Sequence, residues 1–237
     1  MEHRATLFYY IILSLVLTGC SIIRPQPFNI LVNSLASPEA ELKRTYILLP
    51  GNPGMTVDDL QFKEYAAYVT RALYAKGFLP VNYGEQPDVA IFLSYGIGNP
   101  EVVQHSYSIP IWGQTGISSS YTNGTATAYG NTTTYSGNTS FTPTYGITGF
   151  IPKTKTEIRY LKYITLNGLD YMAFKASGRQ VKLWFTGIVN DGPSFDLRAL
   201  FPYMIAASVP YLATNTGEIE TVKIYGNETV IKEIKGE

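Results

Sequence analysis

The stretch that decides the fold is residues 56–77, TVDDLQFKEYAAYVTRALYAKG. Thr56 is a favourable N-cap residue, and Asp58 and Asp59 follow in the first turn, where the helix dipole favours negative charge. Lys76-Gly77 ends the pattern with a cation near the last carbonyls and a glycine that accepts a positive φ. The stretch therefore predicts an amphipathic helix of about 20 residues that covers one face of a sheet. Its apolar side chains recur at helical spacing: Phe62, Tyr65, Ala66, Val69, Ala72 and Leu73.

Strand-like segments flank this helix on both sides. Thr45–Leu49 is a short β-branched and apolar run, and the turn-rich loop 50–54 follows it. Beyond the helix, Val89–Tyr95 is almost continuously apolar, which is typical of a strand that is covered on both faces or central in its sheet. The glycines in Tyr95–Pro100 lack the third glycine of a nucleotide-binding loop, so a strand that ends in a turn is the better interpretation.

The C-terminal part of the chain predicts further strands in antiparallel order. Glu157–Leu166 alternates polar and apolar side chains, and Asn167-Gly168 predicts a turn after it. Leu169–Ala176 and Gln180–Gly187 follow as two more strands separated by Ser177-Gly178. Three strands joined by such short connections indicate an antiparallel meander.

A second helix and a closing hairpin complete the predicted domain. Leu197–Leu212 carries apolar residues close to the helical period, and Pro202 and Pro210 predict a kink or a break in it. Ile219–Ile224 and Thr229–Ile234 predict the two strands of the hairpin. The predicted fold class is α+β, a mainly antiparallel sheet with two helices packed on it and a long Thr/Tyr-rich loop or hairpin insert.

The insert covers residues 105–150 and is rich in Thr, Tyr, Ser and Asn. Two interpretations fit it, an extended hairpin arm and a largely disordered polar loop. Asn123-Gly124 is a hairpin turn signal and favours the partly ordered arm. Aromatic side chains in polar surroundings can stack on sugar rings or fill pockets of a partner. The candidate partner contacts are Tyr121, Tyr129, Tyr135 and Tyr145.

Composition and charge exclude some classes of partner. The chain has 18 Lys and Arg against 18 Asp and Glu, so its formal net charge is zero. We therefore predict neither nucleic-acid binding nor a polybasic contact with anionic lipid. The length is that of one domain, which we expect over residues 37–237 with the polar insert inside it.

The N-terminus contains the only cysteine of the chain. His3 and Arg4 precede an apolar run from Leu7 to Leu17, a pattern that predicts a secretory signal and is too short to span a bilayer. The ending Leu17-Thr18-Gly19-Cys20 resembles the lipobox of bacterial lipoproteins. The resemblance implies that residues 1–19 are a signal peptide recognised through Leu17, Thr18 and Gly19, and that Cys20 carries the lipid. A buried core cysteine behind a simple hydrophobic helix is the alternative.

The expected location follows from this resemblance. Residues 20–36 contain Pro25, Pro27, Asn29 and Asn33, and we interpret them as the lipidated cysteine and a tether. Ser21 after the cysteine, by similarity to enterobacterial lipoproteins, implies export to the outer membrane, facing the periplasm. The membrane partner is therefore predicted to be reached through covalent lipid at Cys20.

The residues indicate no catalytic, metal or cofactor site. His3 lies in the predicted signal peptide, which leaves His105, whereas a zinc site needs three or four ligands. A lone His105 without a nucleophile motif predicts no hydrolytic triad. Carboxylate pairs for glycoside cleavage meet only in the fold, so a weak glycosidase remains an alternative. Trp184 lies in a predicted strand and is interpreted as a core residue.

Several segments resemble a bacterial lipoprotein family known as domain of unknown function 4136. Trp184–Gly192, Asp196-Leu197-Arg198 and Asn215-Thr216-Gly217 are similar to its C-terminal half, and the helix that closes at Lys76-Gly77 and the strand start Pro87-Asp88-Val89 to its N-terminal half. The resemblance implies an α+β sandwich on a lipid tether, and it implies no catalytic residue.

Together these observations predict a non-enzymatic, lipid-anchored envelope lipoprotein whose insert contacts another envelope component. The alternative is a lipoprotein that binds glycan or peptidoglycan, or a weak glycosidase. A third hypothesis is self-association through the strand edges of the insert.

Overall fold

The computed structural model describes residues 26–81 and 85–237. The predicted signal peptide and lipobox, with Leu17, Thr18, Gly19 and Cys20, lie outside the described residues. The chain divides into two compact units. The sheet unit consists of the described residues up to Asn99 together with Tyr160–Glu237, and the ribbon unit is Pro100–Arg159.

Eight strands are present in the described residues, and seven of them build the sheet of the sheet unit. The sheet order is β3-β2-β4-β6-β7-β1-β8, where β2 runs parallel to β3 and β4 and the remaining neighbours are antiparallel. The strands are β1 (Phe28–Ala36), β2 (Thr45–Pro50), β3 (Leu79–Pro80), β4 (Val89–Ile97), β5 (Glu101–Tyr129), β6 (Thr132–Asp170), β7 (Lys182–Gly192) and β8 (Glu220–Ile224).

Four α-helices and two short 3-10 helices occur in the same part of the chain. The α-helices are α1 (Leu60–Ala75), α2 (Tyr171–Ser177), α3 (Leu197–Ser208) and α4 (Thr229–Lys235), and the 3-10 helices are Pro38–Leu42 and Val209–Tyr211. Within residues 26–81 and 85–237, no helix has the length and apolarity to cross a bilayer.

The predicted fold class is wrong. The sheet is mixed, strand accounts for 53% and helix for 24% of the structure, and four helices are present instead of two on an antiparallel sheet. The parallel part has a simple cause: α1 lies between β2 and β3, and a helix that crosses over a sheet returns the chain in the same direction. The order of strand, helix and strand in residues 45–81 is the pattern of such a crossover.

The core lies between one face of the sheet and helices α1, α3 and α4. The apolar face predicted for the first helix is confirmed, since Phe62, Tyr65, Val69, Ala72 and Leu73 are buried. Its predicted start is wrong, because Asp59 is the N-cap residue and its carboxylate accepts a hydrogen bond from the Thr56 backbone N–H at 2.6 Å. The predicted stop is confirmed, since Gly77 has a φ of +81°.

Asn167-Gly168 is not a turn but lies within β6. Gly168 is opposite Trp184 in the register of β6 and β7, and a Cβ on Gly168 would lie 2.4 Å from Nε1 of the Trp184 indole. The glycine therefore makes room for a large side chain across the strand pair. Trp184 is buried, which confirms its interpretation as a core residue.

Two segments predicted as strands are helices. Tyr171–Ser177 is α2, which the Asp170 carboxylate caps by accepting a hydrogen bond from the Ala173 N–H at 2.9 Å. Thr229–Lys235 is α4, and it buries Ile231 and Ile234, which are one helical turn apart. The predicted closing hairpin is therefore a strand followed by a helix.

Part of the predicted tether is also folded. Phe28–Ala36 forms β1, which pairs with β7 on one side and β8 on the other and buries Ile30, Val32 and Ser34. The interpretation of residues 28–36 as a tether is therefore wrong. Alternate side chains of this segment are buried because only one face of the strand meets the core.

Candidate interaction surface

The ribbon unit is one long antiparallel hairpin. β5 pairs along its whole length with β6 from Thr132 to Arg159, and the two strands are joined by Gly130-Asn131. Gly130 has a φ of +58°, which suits the first central position of a two-residue hairpin turn. Two interpretations of the insert were open, and the structure shows the hairpin arm and not the disordered loop. Its turn is not at Asn123-Gly124, since Asn123 is opposite Asn138 within the strands.

The ribbon has two parts with different regularity. We call Ser119–Thr142 the turn half, in which eleven successive residue pairs follow one another without a register shift. The stem half is 100–118 with 143–159, and three register shifts lie in it or at its border. β5 has 29 residues and is therefore about 95 Å long when extended.

The four predicted contact tyrosines all lie in the ribbon and are exposed, by 71% for Tyr121, 90% for Tyr129, 65% for Tyr135 and 71% for Tyr145. The structure does not bring them together as one site. Tyr121 and Tyr129 are eight residues apart and share one face of the turn half, because side chains alternate along a strand. Tyr135 is opposite Ala126 and lies on the other face, and Tyr145 is in the stem half.

Tyr135 also has a role within the ribbon. Gly124 and Gly137 are directly opposite each other, and a Cβ on either residue would lie within 2.8 Å of the Tyr135 hydroxyl oxygen. The Tyr135 ring therefore lies over the glycine pair and covers the place where no side chain fills the surface. This contact reduces the part of Tyr135 that is free for a partner.

Hydroxyl side chains connect the two strands at several positions. Thr122 Oγ1 and Thr139 Oγ1 are 2.8 Å apart, and Thr115 Oγ1 and Thr144 Oγ1 are 3.3 Å apart. Cross-strand threonine pairs of this kind stabilise a sheet without a hydrophobic core. The face that carries Tyr121 and Tyr129 otherwise presents only hydroxyl and amide side chains, those of Ser119, Asn123, Thr125, Thr127, Thr132, Thr134, Ser136, Asn138, Ser140 and Thr142.

Charge is confined to the open end of the stem half. Residues 106–152 contain no Asp, Glu, Lys, Arg or His. His105 lies opposite Lys155 and is exposed, in the part of the ribbon that carries its Glu, Lys, Arg and His side chains. These residues are Glu101, His105, Lys153, Lys155, Glu157 and Arg159.

The sheet unit has a cleft of about 400 Å³ at the end of β4, and its polar groups take part in the fold. The Asn52 side chain donates to the Tyr95 carbonyl at 2.8 Å and accepts from the Tyr95 N–H at 3.0 Å. Asp196 caps α3 by accepting from the Ala199 N–H, and Arg198 binds both oxygens of Glu64. Burial raises the pKa of Tyr95 to about 12.

A second concavity, of about 290 Å³, lies on the sheet face opposite the helices. Its lining includes Leu31 and Asn33 on β1, Tyr163 and Thr165 on β6, and Phe185, Gly187 and Val189 on β7. In residues 26–81 and 85–237, no group of three or more His, Cys, Asp or Glu is placed to hold a metal ion.

No family model and no curated protein matches the chain. The similarity to domain of unknown function 4136 therefore stays a prediction. Among solved structures, the chain is similar to a PDZ domain protein from Parabacteroides distasonis, with 11% sequence identity and a TM-score of 0.36. That alignment covers 85% of this chain and 40% of the other. A likeness of this size carries no argument about fold or function.

Proposed function

We propose that this protein is a non-enzymatic lipoprotein of the bacterial cell envelope that is anchored through lipid at Cys20, at the outer membrane facing the periplasm, and that uses the ribbon unit to bind another envelope component. The observation that supports the proposal is the ribbon itself. It is a hairpin of 27 residue pairs with side chains exposed on both faces and without a core.

The argument rests on how a two-stranded sheet is stabilised. An isolated hairpin is at best marginally stable in water, because its two faces and two edges remain solvated. In the part of the chain that the structure describes, no third strand pairs with residues 100–159. A partner that adds a strand satisfies the open edge and gains main-chain hydrogen bonds in doing so. A long ribbon is therefore suited to binding.

The proposed anchor places the sheet unit near a membrane. Seven residues separate Cys20 from Phe28, the first residue of β1, so the two are eight Cα-to-Cα steps apart. Fully extended, they span at most about 30 Å. A lipid at Cys20 therefore keeps the sheet unit close to the bilayer surface, within reach of membrane-bound and peptidoglycan-bound components.

Crosslinking in intact cells tests the proposal. His105 and Lys155 are opposite each other, so Ser106–Thr154 can be replaced by a two-residue Asn-Gly turn without changing the register below them. We expect this shortened variant to keep the circular dichroism of the sheet unit and to lose the crosslinked partners found by mass spectrometry. Asn131→Gly, which keeps the full ribbon, is the matched control. An unchanged set of partners for the shortened variant contradicts the proposal.

A glycan is the alternative partner, and the shared face of Tyr121 and Tyr129 favours it, since aromatic rings among hydroxyl groups suit sugar rings. Sedimentation of the protein with cell-wall sacculi tests this alternative. Tyr121→Ala/Tyr129→Ala should reduce pelleting, whereas Tyr135→Ala on the opposite face serves as the control. Release of sugar fragments would instead support the weak glycosidase.

A further inference from the structure

We propose that the partner of the turn half is a second copy of this chain, which adds to it strand against strand along an outer edge. The inference rests on the proposed function, in which the ribbon is the binding element, and it names the partner. The turn half differs from the stem half in each feature that controls edge-to-edge pairing.

The positions of the free backbone groups follow from the turn. In a two-residue hairpin the closing pair, Tyr129 and Thr132, is hydrogen-bonded, and the pairs then alternate between bonded and non-bonded. In the non-bonded pairs both residues direct their N–H and C=O groups outward. The close contact between Thr122 and Thr139 hydroxyls agrees with a non-bonded pair. On this count the outward groups belong to Ser120, Thr122, Gly124, Ala126 and Ala128 on β5, and to Thr133, Tyr135, Gly137, Thr139 and Phe141 on β6.

The stem half carries the features with which proteins protect such edges, namely charged side chains, prolines and bulges. Its charges lie at Glu101–His105 and Lys153–Arg159, and its prolines are Pro100, Pro110, Pro143 and Pro152. The register shifts of the ribbon lie in the stem half or at its border with Ser119. The turn half has no charge, no proline and no shift between Ser119 and Thr142. Its edges are therefore open to pairing.

The absence of charge favours a second copy over a charged ligand. Two identical edges bring like charges together, and such pairs destabilise a sheet, so an uncharged edge removes this obstacle. A charged ligand or partner would gain no complementary charge from residues 106–152. Rows of Thr, Ser and Asn also pair with identical rows through their hydroxyl and amide groups, as Thr122 and Thr139 do within one chain.

Light scattering of the full chain, purified in detergent, tests the inference over a series of concentrations. Ala126→Pro/Thr133→Pro removes one outward N–H from each edge, and Ala126→Ser/Thr133→Ser keeps both as the matched control. We expect the wild type and the Ser variant to form dimers or larger assemblies. The Pro variant should associate at least about tenfold more weakly with unchanged circular dichroism.

A second pair of variants is independent of proline. Thr125→Lys/Thr134→Lys places like charges on the turn half of each copy and should also weaken association, whereas Gln104→Lys/Thr156→Lys in the stem half should not. A wild type that stays monomeric at every concentration, or a Pro variant that associates as strongly as the Ser variant, overturns the inference. If the wild type is monomeric but the shortened variant loses its crosslinked partners, the proposed function stands and only the second copy is excluded.

Discussion

In the sheet unit, β1, β6 and β7 bury alternate side chains along much of their length, whereas in the ribbon unit both faces of β5 and of its partner strand are exposed. Ile30 and Val32 on β1 are buried, while Tyr121 and Tyr129 on β5 are exposed, although both pairs lie on regular strands. The sheet unit is therefore held by apolar burial, and the ribbon by hydrogen bonds between its strands and by cross-strand contacts. The stability of the ribbon therefore depends more on contacts with a partner than the stability of the sheet unit does.

The largest expected difference between the units is in the free energy of unfolding. Phe201 is fully buried, and its ring stacks on Tyr65 with centroids 3.7 Å apart. Phe201→Ala should therefore destabilise the protein by about 3–5 kcal/mol in chemical denaturation. The matched substitution Phe141→Ala removes an exposed ring of the ribbon and should change the midpoint little. Equal effects of the two substitutions would contradict the comparison.

Substitution of glycine by alanine should also cost more stability in the sheet unit than in the ribbon. A methyl group on Gly168 collides with the Trp184 indole, so Gly168→Ala should destabilise the sheet unit by about 1–3 kcal/mol. A Cβ on Gly116 in the ribbon lies 3.4 Å from Thr144 Oγ1, and Gly116→Ala should be close to neutral. Thermal unfolding of the two variants checks this expectation. A neutral Gly168→Ala would show that Trp184 has room to move.

Low pH should reduce the stability of the sheet unit. A hydrogen bond from Lys43 at 2.8 Å and the Ala173 N–H lower the pKa of Asp170, and hydrogen bonds from Thr45 lower the pKa of Asp88. Because these folded-state pKa values lie below the unfolded ones, the stabilisation is present above pH of about 4 and is lost as pH falls through the folded values. Asp170→Asn should lower stability at neutral pH by about 1 kcal/mol.

The pH dependence of the Asp170→Asn effect tests its assigned cause. The difference in unfolding free energy between the wild type and Asp170→Asn should shrink as the pH is lowered, because the wild-type carboxylate becomes protonated. Glu218→Gln, at an exposed site before β8, is the matched substitution. A difference that stays constant from neutral to acid pH would contradict the assigned cause.

The smallest effect is expected inside the ribbon. Tyr135→Ala uncovers the Gly124–Gly137 pair and should destabilise the turn half by about 0.5–1 kcal/mol, seen as faster amide hydrogen exchange in residues 119–142. Tyr129→Ala, beside the turn, removes a more exposed ring and is the comparison. If both variants exchange at the same rate, Tyr135 does not support the glycine pair.

The sequence pattern predicted correctly those features that depend on the spacing of nearby residues. The buried face of α1, the stop at Gly77 and the burial of Trp184 follow from residues near one another in the chain. The hairpin was one of two interpretations of the insert, and the turn signal Asn123-Gly124 favoured it, although the turn lies at Gly130-Asn131. The absence of charge in residues 106–152 was visible in the sequence and is the signal for the unprotected edges.

The sequence by itself determined the amphipathic helix, the polar and uncharged insert, and the lipobox-like ending that predicts an anchor at Cys20. Only the tertiary structure decided that Phe28–Ala36 is a strand, that Gly168 continues one, and that residues 229–235 are helical. The physical reason is that these three assignments depend on partners far away in the chain. β1 is paired with β7 and β8, and Gly168 lies in a strand opposite Trp184. The helix α4 packs on the core through Ile231 and Ile234.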